Sequence, residues 1–150
     1  MLLIDLDGFK LINDSHGHEA GDAVLVGIAE RLQSIVRSED VVGRMGGDEF
    51  ILLLQHLGGD EQLARNRALQ LAEKLINMIN VPLEFNDKTL HVGASIGIRL
   101  LGFEGVDTET AISEADNAMY RAKAAGRGRA VFFRAPLRPE PNQNRKKKTR

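Results

Sequence analysis

The chain has 150 residues, 43% of them hydrophobic, which is enough to build one domain around a core. It contains no cysteine, so disulfides and thiolate metal sites are excluded, and no apolar run approaches the roughly 20 residues of a membrane-spanning helix. The start, MLLID, is too short for a signal peptide, and we therefore expect a soluble, cytoplasmic domain.

The net charge of −1 conceals an acidic body, residues 1–134, and a basic tail, residues 135–150. The tail contains six Lys or Arg residues, one Glu and three of the four prolines. This composition predicts a disordered tail after a single folded domain. A basic run can contact RNA or an acidic surface, but a solvated tail is the commoner case, so nucleic acid is not an expected partner.

The first half of the chain predicts a strand, a helix and a hairpin. Residues 1–5 are typical of a short buried strand, and residues 20–36 place apolar side chains at helical spacing. VVGRM and FILLL then flank Gly46-Gly47, as in a hairpin. Between the strand and the helix we expect a turn rich in His and Gly.

The second half predicts two long helices, a small hairpin and two further strands. They are a helix over 61–79 with Asp60 as N-cap, a small hairpin turning at Asn86-Asp87, a half-buried strand over 92–100, a helix over 108–124 ending near Gly126, and a last strand over 129–133. Strand pairs that alternate with helices predict an α+β fold, with helices packed on one face of a mainly antiparallel sheet.

Four acids lie near predicted strand ends. Asp5 ends the first strand, Asp7 follows, and Asp48 and Glu49 lie at the hairpin tip. If the first strand lies beside the hairpin, Asp5 and Asp48 converge and offer the oxygen ligands that Mg²⁺ prefers alongside substrate phosphates. Such a site neutralises a triphosphate and activates a hydroxyl for attack. Each acid alone is equally compatible with a charged turn.

Amide and acid side chains also follow the first strand. Asn13 and Asp22 together can hydrogen-bond the edge of guanine, although both residue types also suit helix capping. His16 and His18 suggest a metal pair, but zinc usually takes three or four protein ligands, so packing in the turn is preferred. Downstream, Lys123 and Arg127 are four residues apart at a predicted helix end, where they can hold phosphates or interact with the helix dipole.

These segments together resemble the GGDEF family of diguanylate cyclases. The family signature is present literally as GGDEF at 46–50, and further matches are DLDGFKLIND (5–14), GHEAGD (17–22), RSED (37–40) and ADNAMYRAKAAGR (115–127). The resemblance covers about residues 1–133. It implies a ferredoxin-like core similar to the palm of nucleotide cyclases and polymerases. It also implies condensation of two GTP into cyclic di-GMP, with release of pyrophosphate, by two copies of the domain facing each other.

The resemblance also implies roles for individual residues. Mg²⁺, with Mn²⁺ as a substitute, would be held by Asp5, the backbone carbonyl of Leu6, Asp48 and Glu49, and the last two would be catalytic. The implied GTP-binding residues are Phe9 and Lys10 near the nucleotide and its phosphates, Asn13 and Asp22 at guanine, Gly47 where the backbone approaches the nucleotide, and Lys123 and Arg127 at phosphates.

Arg37 and Asp40 form an RxxD motif just before the signature. In this family that spacing resembles an inhibitory site for cyclic di-GMP, and arginine suits bidentate phosphate and guanine contacts. The alternative is a surface salt bridge, which contributes little to stability.

Two departures from the family pattern affect these expectations. Gly128 follows the last GR where an asparagine is usual, and the helix and D-x-L-T-G-L-x-N-R segment that normally precede the first strand are not in this sequence. We therefore expect slow turnover. The alternative function is a non-catalytic module that binds GTP or cyclic di-GMP.

Overall fold

A five-stranded sheet and four helices make up most of residues 1–103 and 105–134, the part of the chain that the computed structural model describes. The basic tail predicted over 135–150 lies outside the described residues. In this part of the chain, no helix is both long and apolar enough to cross a membrane.

The predicted long helices and hairpins are confirmed, with small shifts of their ends. The elements are β1 (Leu2–Asp7), α1 (Phe9–His16), α2 (His18–Ile35), β2 (Val41–Gly46), β3 (Glu49–Leu53), α3 (Glu61–Ile79), β4 (Leu83–Phe85), β5 (Lys88–Leu90), β6 (Gly93–Ile98), α4 (Thr108–Ala124) and β7 (Ala130–Phe132).

Helix α1 replaces most of the turn expected after β1, so that expectation is wrong. Only Gly17, with φ 88°, separates α1 from α2. The eight residues of α1 make only about two helical turns and fully bury a single side chain, Ile12, so the segment is too short for its helical spacing to be recognised. The helix forms because it packs against α2, and tertiary contact outweighs its weak local signal.

The strand order is β2-β3-β1-β6-β7, which places β1 at the centre of the sheet. The first three pairs are antiparallel and β6 pairs with β7 in parallel, so the sheet is mainly antiparallel, as predicted. Asp5 lies opposite Glu49 on one side and opposite Ser95 on the other. This register brings the end of β1 to the start of β3.

Helices cover both faces of the sheet, which corrects the expectation of a single covered face. Leu2, Ile4 and Leu6 of β1 belong to the large core that includes α2 and α3, whereas Leu3 packs against α4 on the other side. Strand β6 is buried along almost its whole length rather than half-buried. A central strand with apolar or small side chains on both faces needs cover on both.

Helix α4 lies unusually close to the sheet. A Cβ atom on Gly97 would come within 2.0 Å of the Ala115 carbonyl oxygen and 2.5 Å of the Met119 nitrogen. The buried face of α4 consists mainly of alanine, which permits this approach. The close packing fixes where the C-terminal end of α4 meets the end of β1.

Caps define the ends of the long helices. Asp60 accepts a hydrogen bond from the Leu63 N–H at 2.8 Å, which confirms the predicted N-cap of α3. At the end of α4, Gly126 has φ 117° and donates to Lys123, while the Arg127 N–H donates to the Ala122 carbonyl at 3.1 Å. This is the Schellman arrangement, and glycine suits its left-handed position.

Candidate active site

The hairpin tip lies against the end of β1. The Leu6 N–H donates to the backbone oxygen of Asp48 at 3.1 Å, and Asp5 and Glu49 are cross-strand partners. Asp48 lies close enough to Asp5 and Glu49 to contribute to the raised pKa of both carboxyl groups, and these three residues form the acid cluster. The convergence expected for Asp5 and Asp48 is therefore present.

Two glycines shape the hairpin tip. Gly46 has φ 141° beside a bulge in the β2–β3 pairing, and Gly47 has φ 52°. The Arg44 Nε donates to the Gly47 carbonyl at 3.0 Å, and this hydrogen bond spans the turn. No atom lies within 4 Å of the place where a Cβ on Gly47 would be, so the backbone there faces open space. Buried Phe50 anchors the tip in the core.

Burial and, after it, neighbouring acids disfavour the charged forms of Asp5 and Glu49. Burial raises the pKa of Asp5, a hydrogen bond from Lys123 opposes the rise, and Asp48 adds to it. Burial also raises the pKa of Glu49, followed by repulsion from Asp5, Asp116 and Asp48. A cation at this place would favour the ionised forms of both groups.

Lys123 is the first cation at the cluster. Its ammonium group forms an ion pair with the Asp5 carboxylate. Burial lowers the pKa of Lys123, but Asp5, Asp48 and Glu49 outweigh burial and raise it above its ordinary value. Lys123 is therefore a charged group held among carboxylates, not only a residue that interacts with the helix dipole.

Arg127 is the second cation, but it does not share a helical face with Lys123 as predicted. Helix α4 ends at Ala124, and Arg127 lies in the Schellman turn that follows, with φ 61°. Its Nε lies 3.9 Å from the Asp7 carboxylate. The two cations still meet neighbouring acids of β1, because Asp5 and Asp7 project from the same face of the strand.

Asp116 was not predicted. It lies on α4, seven residues before Lys123, and contributes to the raised pKa of Glu49. The signal was available in the sequence, because residues seven apart on a helix lie on the same face.

These residues fit a magnesium ion held partly by substrate. Among the described residues, no group of three or more His, Cys, Asp or Glu side chains forms a ready-made metal cage. Mg²⁺ usually takes one or two carboxylates and completes its shell with water and phosphate oxygens. Asp5 and Asp48 at a strand end and a hairpin tip supply that number, and a divalent ion beside Asp5 would offset the burial that raises the pKa of this carboxyl group.

Asn13 and Asp22 lie on neighbouring helices beside this end of the sheet. A Cβ on Gly21 would lie 1.8 Å from the Asn13 Oδ1, so the Asn13 amide crosses α2 directly over Gly21, next to exposed Asp22. Neither residue caps a helix: the N-caps of α1 and α2 are Gly8 and Gly17, which corrects the capping alternative. His16 and His18 are exposed at the α1–α2 junction.

The remaining predicted residues lie at the start of α1. Phe9 is partly buried against the core, and Lys10 is exposed. Both follow Asp7 within one turn of helix, so they lie near the acid cluster.

Arg37 and Asp40 lie in a different region, between α2 and β2. The Asp40 carboxylate accepts from the Arg37 N–H at 2.9 Å and from the Gln55 N–H at 2.8 Å, so the contact between the pair is not the side-chain salt bridge that was the alternative. Gln55 follows β3, whereas Glu49 begins it, which separates this region from the acid cluster by about 20 Å.

A cavity of about 500 Å³ opens beside the RxxD motif. Its lining includes Arg37, Asp40 and three basic side chains that were not predicted: His56, Arg67 and Lys74. Arg67 and Lys74 are seven residues apart on α3 and share a face. The cavity therefore offers several cations to an anionic ligand.

The fold and the acidic hairpin tip define an α+β domain of the palm-like class. Residues 1–129 match the family model described as diguanylate cyclase, GGDEF domain. The chain belongs to this family.

Known proteins agree with this assignment. The chain is 46% identical over 137 residues to an uncharacterized signaling protein of Caulobacter vibrioides, covering 91% of this chain and 16% of the relative. It is 40% identical over 137 residues to the bifunctional diguanylate cyclase/cyclic di-GMP phosphodiesterase MucR of Pseudomonas aeruginosa, covering 91% of this chain and 19% of MucR. The chain thus spans less than a fifth of the length of these two relatives.

A solved structure has the same fold. The GGDEF domain of TpbB (YfiN) from Pseudomonas aeruginosa superposes with a TM-score of 0.80 at 41% identity, covering 90% of this chain and 81% of that chain. This agreement confirms the α+β fold class that the sequence predicts.

Proposed function

We propose that this domain condenses two GTP molecules into cyclic di-GMP and releases pyrophosphate. The observation that carries the proposal is the meeting of Asp5, Asp48 and Glu49 with Lys123 at the open end of the sheet, in a chain of this family. A cluster of carboxylates with adjacent cations suits phosphoryl chemistry, where positioning and charge stabilisation supply most of the catalysis.

Asp5, Asp48 and the backbone carbonyl of Leu6 would hold Mg²⁺, or Mn²⁺ in its place, with Glu49 assisting. The bound ion neutralises triphosphate charge and makes the attacking hydroxyl more acidic. Asp48 and Glu49 are the groups nearest the open hairpin tip, and we assign them the catalytic role. Gly47 leaves the backbone open to the nucleotide because no side chain occupies the space beside it.

The proposed substrate contacts fall into two groups, one for the phosphates and one for guanine. Lys123, Arg127 and Lys10 would bind phosphates as cations, and Phe9 would lie beside the nucleotide. Asn13 and Asp22 would bind guanine, since an amide and a carboxylate match its acceptor and donor groups. Asn13 crosses α2 at Gly21, immediately beside Asp22, and this supports a shared role.

One domain binds one GTP, so the reaction requires a second copy. The two copies would face each other, and each 3′-hydroxyl would attack the α-phosphate of the opposite nucleotide. The domain would act as the cytoplasmic part of a larger signalling protein. We further assign the Arg37 and Asp40 region to inhibition by cyclic di-GMP, because its cavity is lined by cations and lies away from the acid cluster.

A non-catalytic module that binds GTP or cyclic di-GMP is the second candidate, since the cavity at Arg37 could bind product without any turnover. Incubation with GTP and Mg²⁺, followed by chromatography, separates the two functions. Cyclic di-GMP among the products supports the cyclase, whereas calorimetric binding of guanine nucleotides without product supports the module.

A further inference from the structure

Asp7 has no part in the metal or substrate contacts proposed above, yet it is one of the most heavily engaged carboxylates of the site. Its side chain is 12% exposed. The Ser95 hydroxyl lies 2.9 and 3.0 Å from its two oxygens, and the Gly128 N–H donates to Oδ2 at 3.1 Å. Ser95 is fully buried on β6. Asp7 therefore links the centre of the sheet to the loop after α4.

That loop has an uncommon backbone. Gly126, Arg127 and Gly128 have φ values of 117°, 61° and 60°. A non-glycine residue rarely adopts the left-handed region and persists there only when its surroundings fix it. Here the Arg127 N–H is bound to the Ala122 carbonyl, and the next amide, of Gly128, is bound to Asp7.

The same arrangement accounts for the departure from the family at Gly128. Glycine and asparagine are the residues that tolerate the left-handed conformation most readily, and Gly128 has φ 60°. Its backbone amide makes the contact to Asp7, so the contact does not depend on which of the two residues occurs there.

The Arg127 side chain points outward from this anchored backbone. It is 66% exposed, and its Nε faces Asp7 at 3.9 Å. A guanidinium whose Nε side faces a carboxylate keeps its two terminal Nη groups for another ligand, and these form the fork that suits a phosphate.

We propose that Asp7 is a positioning residue that acts through Arg127: supported by buried Ser95, it holds the loop at 126–128 so that the guanidinium faces the nucleotide phosphates. This role rests on the proposed function, because it assumes that a nucleotide triphosphate binds at the acid cluster. Asp7 itself touches neither the metal nor the substrate.

The first measurement needs no nucleotide. Amide hydrogen exchange of Gly128, followed by NMR, is expected to be faster in Asp7→Ala than in the wild type, because the acceptor of that amide is lost. Ser95→Ala is expected to change it in the same direction but less. Unchanged exchange of Gly128 in a folded Asp7→Ala protein overturns the proposal.

The second measurement is calorimetric titration with a non-cyclisable GTP analogue and with GMP, both with Mg²⁺. We expect Asp7→Ala to weaken binding of the analogue about tenfold, as loss of a charge-assisted contact would, and to leave the affinity for GMP unchanged. Arg127→Ala should act alike, and Asp7→Ala combined with Arg127→Ala should bind no worse than Arg127→Ala alone. Glu30→Ala, an exposed acid on α2, is the matched control and should change neither ligand.

If Asp7 only stabilises the fold, the variants will show a different pattern of ligand binding. Loss of Asp7 would weaken the analogue and GMP equally, or add to the effect of Arg127→Ala, and either result overturns the proposal. Asp7→Asn, which keeps an acceptor oxygen, covers the case in which Asp7→Ala fails to fold; we expect it to weaken the analogue but not GMP. If the wild type binds neither ligand, the proposed function is refuted and this role with it, even where the exchange of Gly128 shows that Asp7 holds the loop.

Discussion

Lys123, near the end of α4, forms an ion pair with Asp5, near the end of the central strand β1. Asp48 and Glu49 also act on the Lys123 ammonium, and together with Asp5 they raise its pKa. A divalent cation held by Asp5, as proposed above, would therefore compete with the lysine for the same carboxylate. In the proposed function, the same lysine would also bind a phosphate of the nucleotide.

This competition predicts that removing the lysine charge changes the affinities for two ligands in opposite directions. Lys123→Met keeps the length of the side chain and removes its charge, so Mg²⁺ alone should bind more tightly while the GTP analogue binds about tenfold or more weakly. Calorimetry with each ligand measures both effects. Weaker binding of Mg²⁺ alone would show that Lys123 does not compete for Asp5.

Asp48 tests the metal assignment directly. Asp48→Asn should lower turnover of GTP at least about a hundredfold, because one metal-binding charge is lost and metal-ion stabilisation is worth several kcal/mol. Asp48 is at the hairpin tip and only partly buried, so the circular dichroism spectrum and the unfolding midpoint should remain close to the wild type. A folded variant with unchanged product formation contradicts the assignment.

The sequence predicts most of the fold, but not the details that depend on contacts between distant segments. Gly46 and Gly47 predict the hairpin because the turn is local. Helix α1 escapes recognition because it has only eight residues and depends on its packing against α2. The burial of both faces of β6 could not be predicted either. It depends on the contact between Gly97 and α4, which is more than ten residues away in the sequence.

The site shows the same division. The convergence of Asp5 and Asp48 could be predicted because strand ends have only a few neighbours. The shared helical face expected for Lys123 and Arg127 is wrong, because the Schellman turn rather than helical spacing brings Arg127 to Asp7. The position of Arg67 in the RxxD cavity depends on how α3 packs, and no local sequence pattern predicts that packing.

Gly97 tests the close packing that positions α4. Gly97→Ala would place a methyl group 2.0 Å from the Ala115 carbonyl oxygen, a backbone atom that cannot rotate away. We expect the free energy of unfolding to fall by about 3 kcal/mol, as overpacking in a tight core does. Urea denaturation measures the change. Gly59→Ala, where no atom lies within 4 Å of the new methyl group, is the matched control and should have little effect.

Arg37 tests the regulatory region separately from the active site. Arg37→Ala should weaken binding of cyclic di-GMP about tenfold, because a charge-assisted contact is lost, and should leave the affinity for the GTP analogue unchanged. Calorimetry on both ligands gives the comparison. Equal affinity of wild type and variant for cyclic di-GMP would remove Arg37 from the inhibitory site.

The most direct test of the account is the specific activity of GTP turnover as a function of protein concentration, with cyclic di-GMP separated by chromatography and Asp48→Asn as the control. If two facing copies carry out the reaction, as proposed, the wild type should form cyclic di-GMP with a specific activity that rises with concentration. Fusion of a dimeric coiled coil ahead of Met1 should raise it at low concentration, because tethering brings the copies to an effective concentration of about millimolar. No cyclic di-GMP at any concentration from either protein, or product formed equally well by Asp48→Asn, would contradict the account.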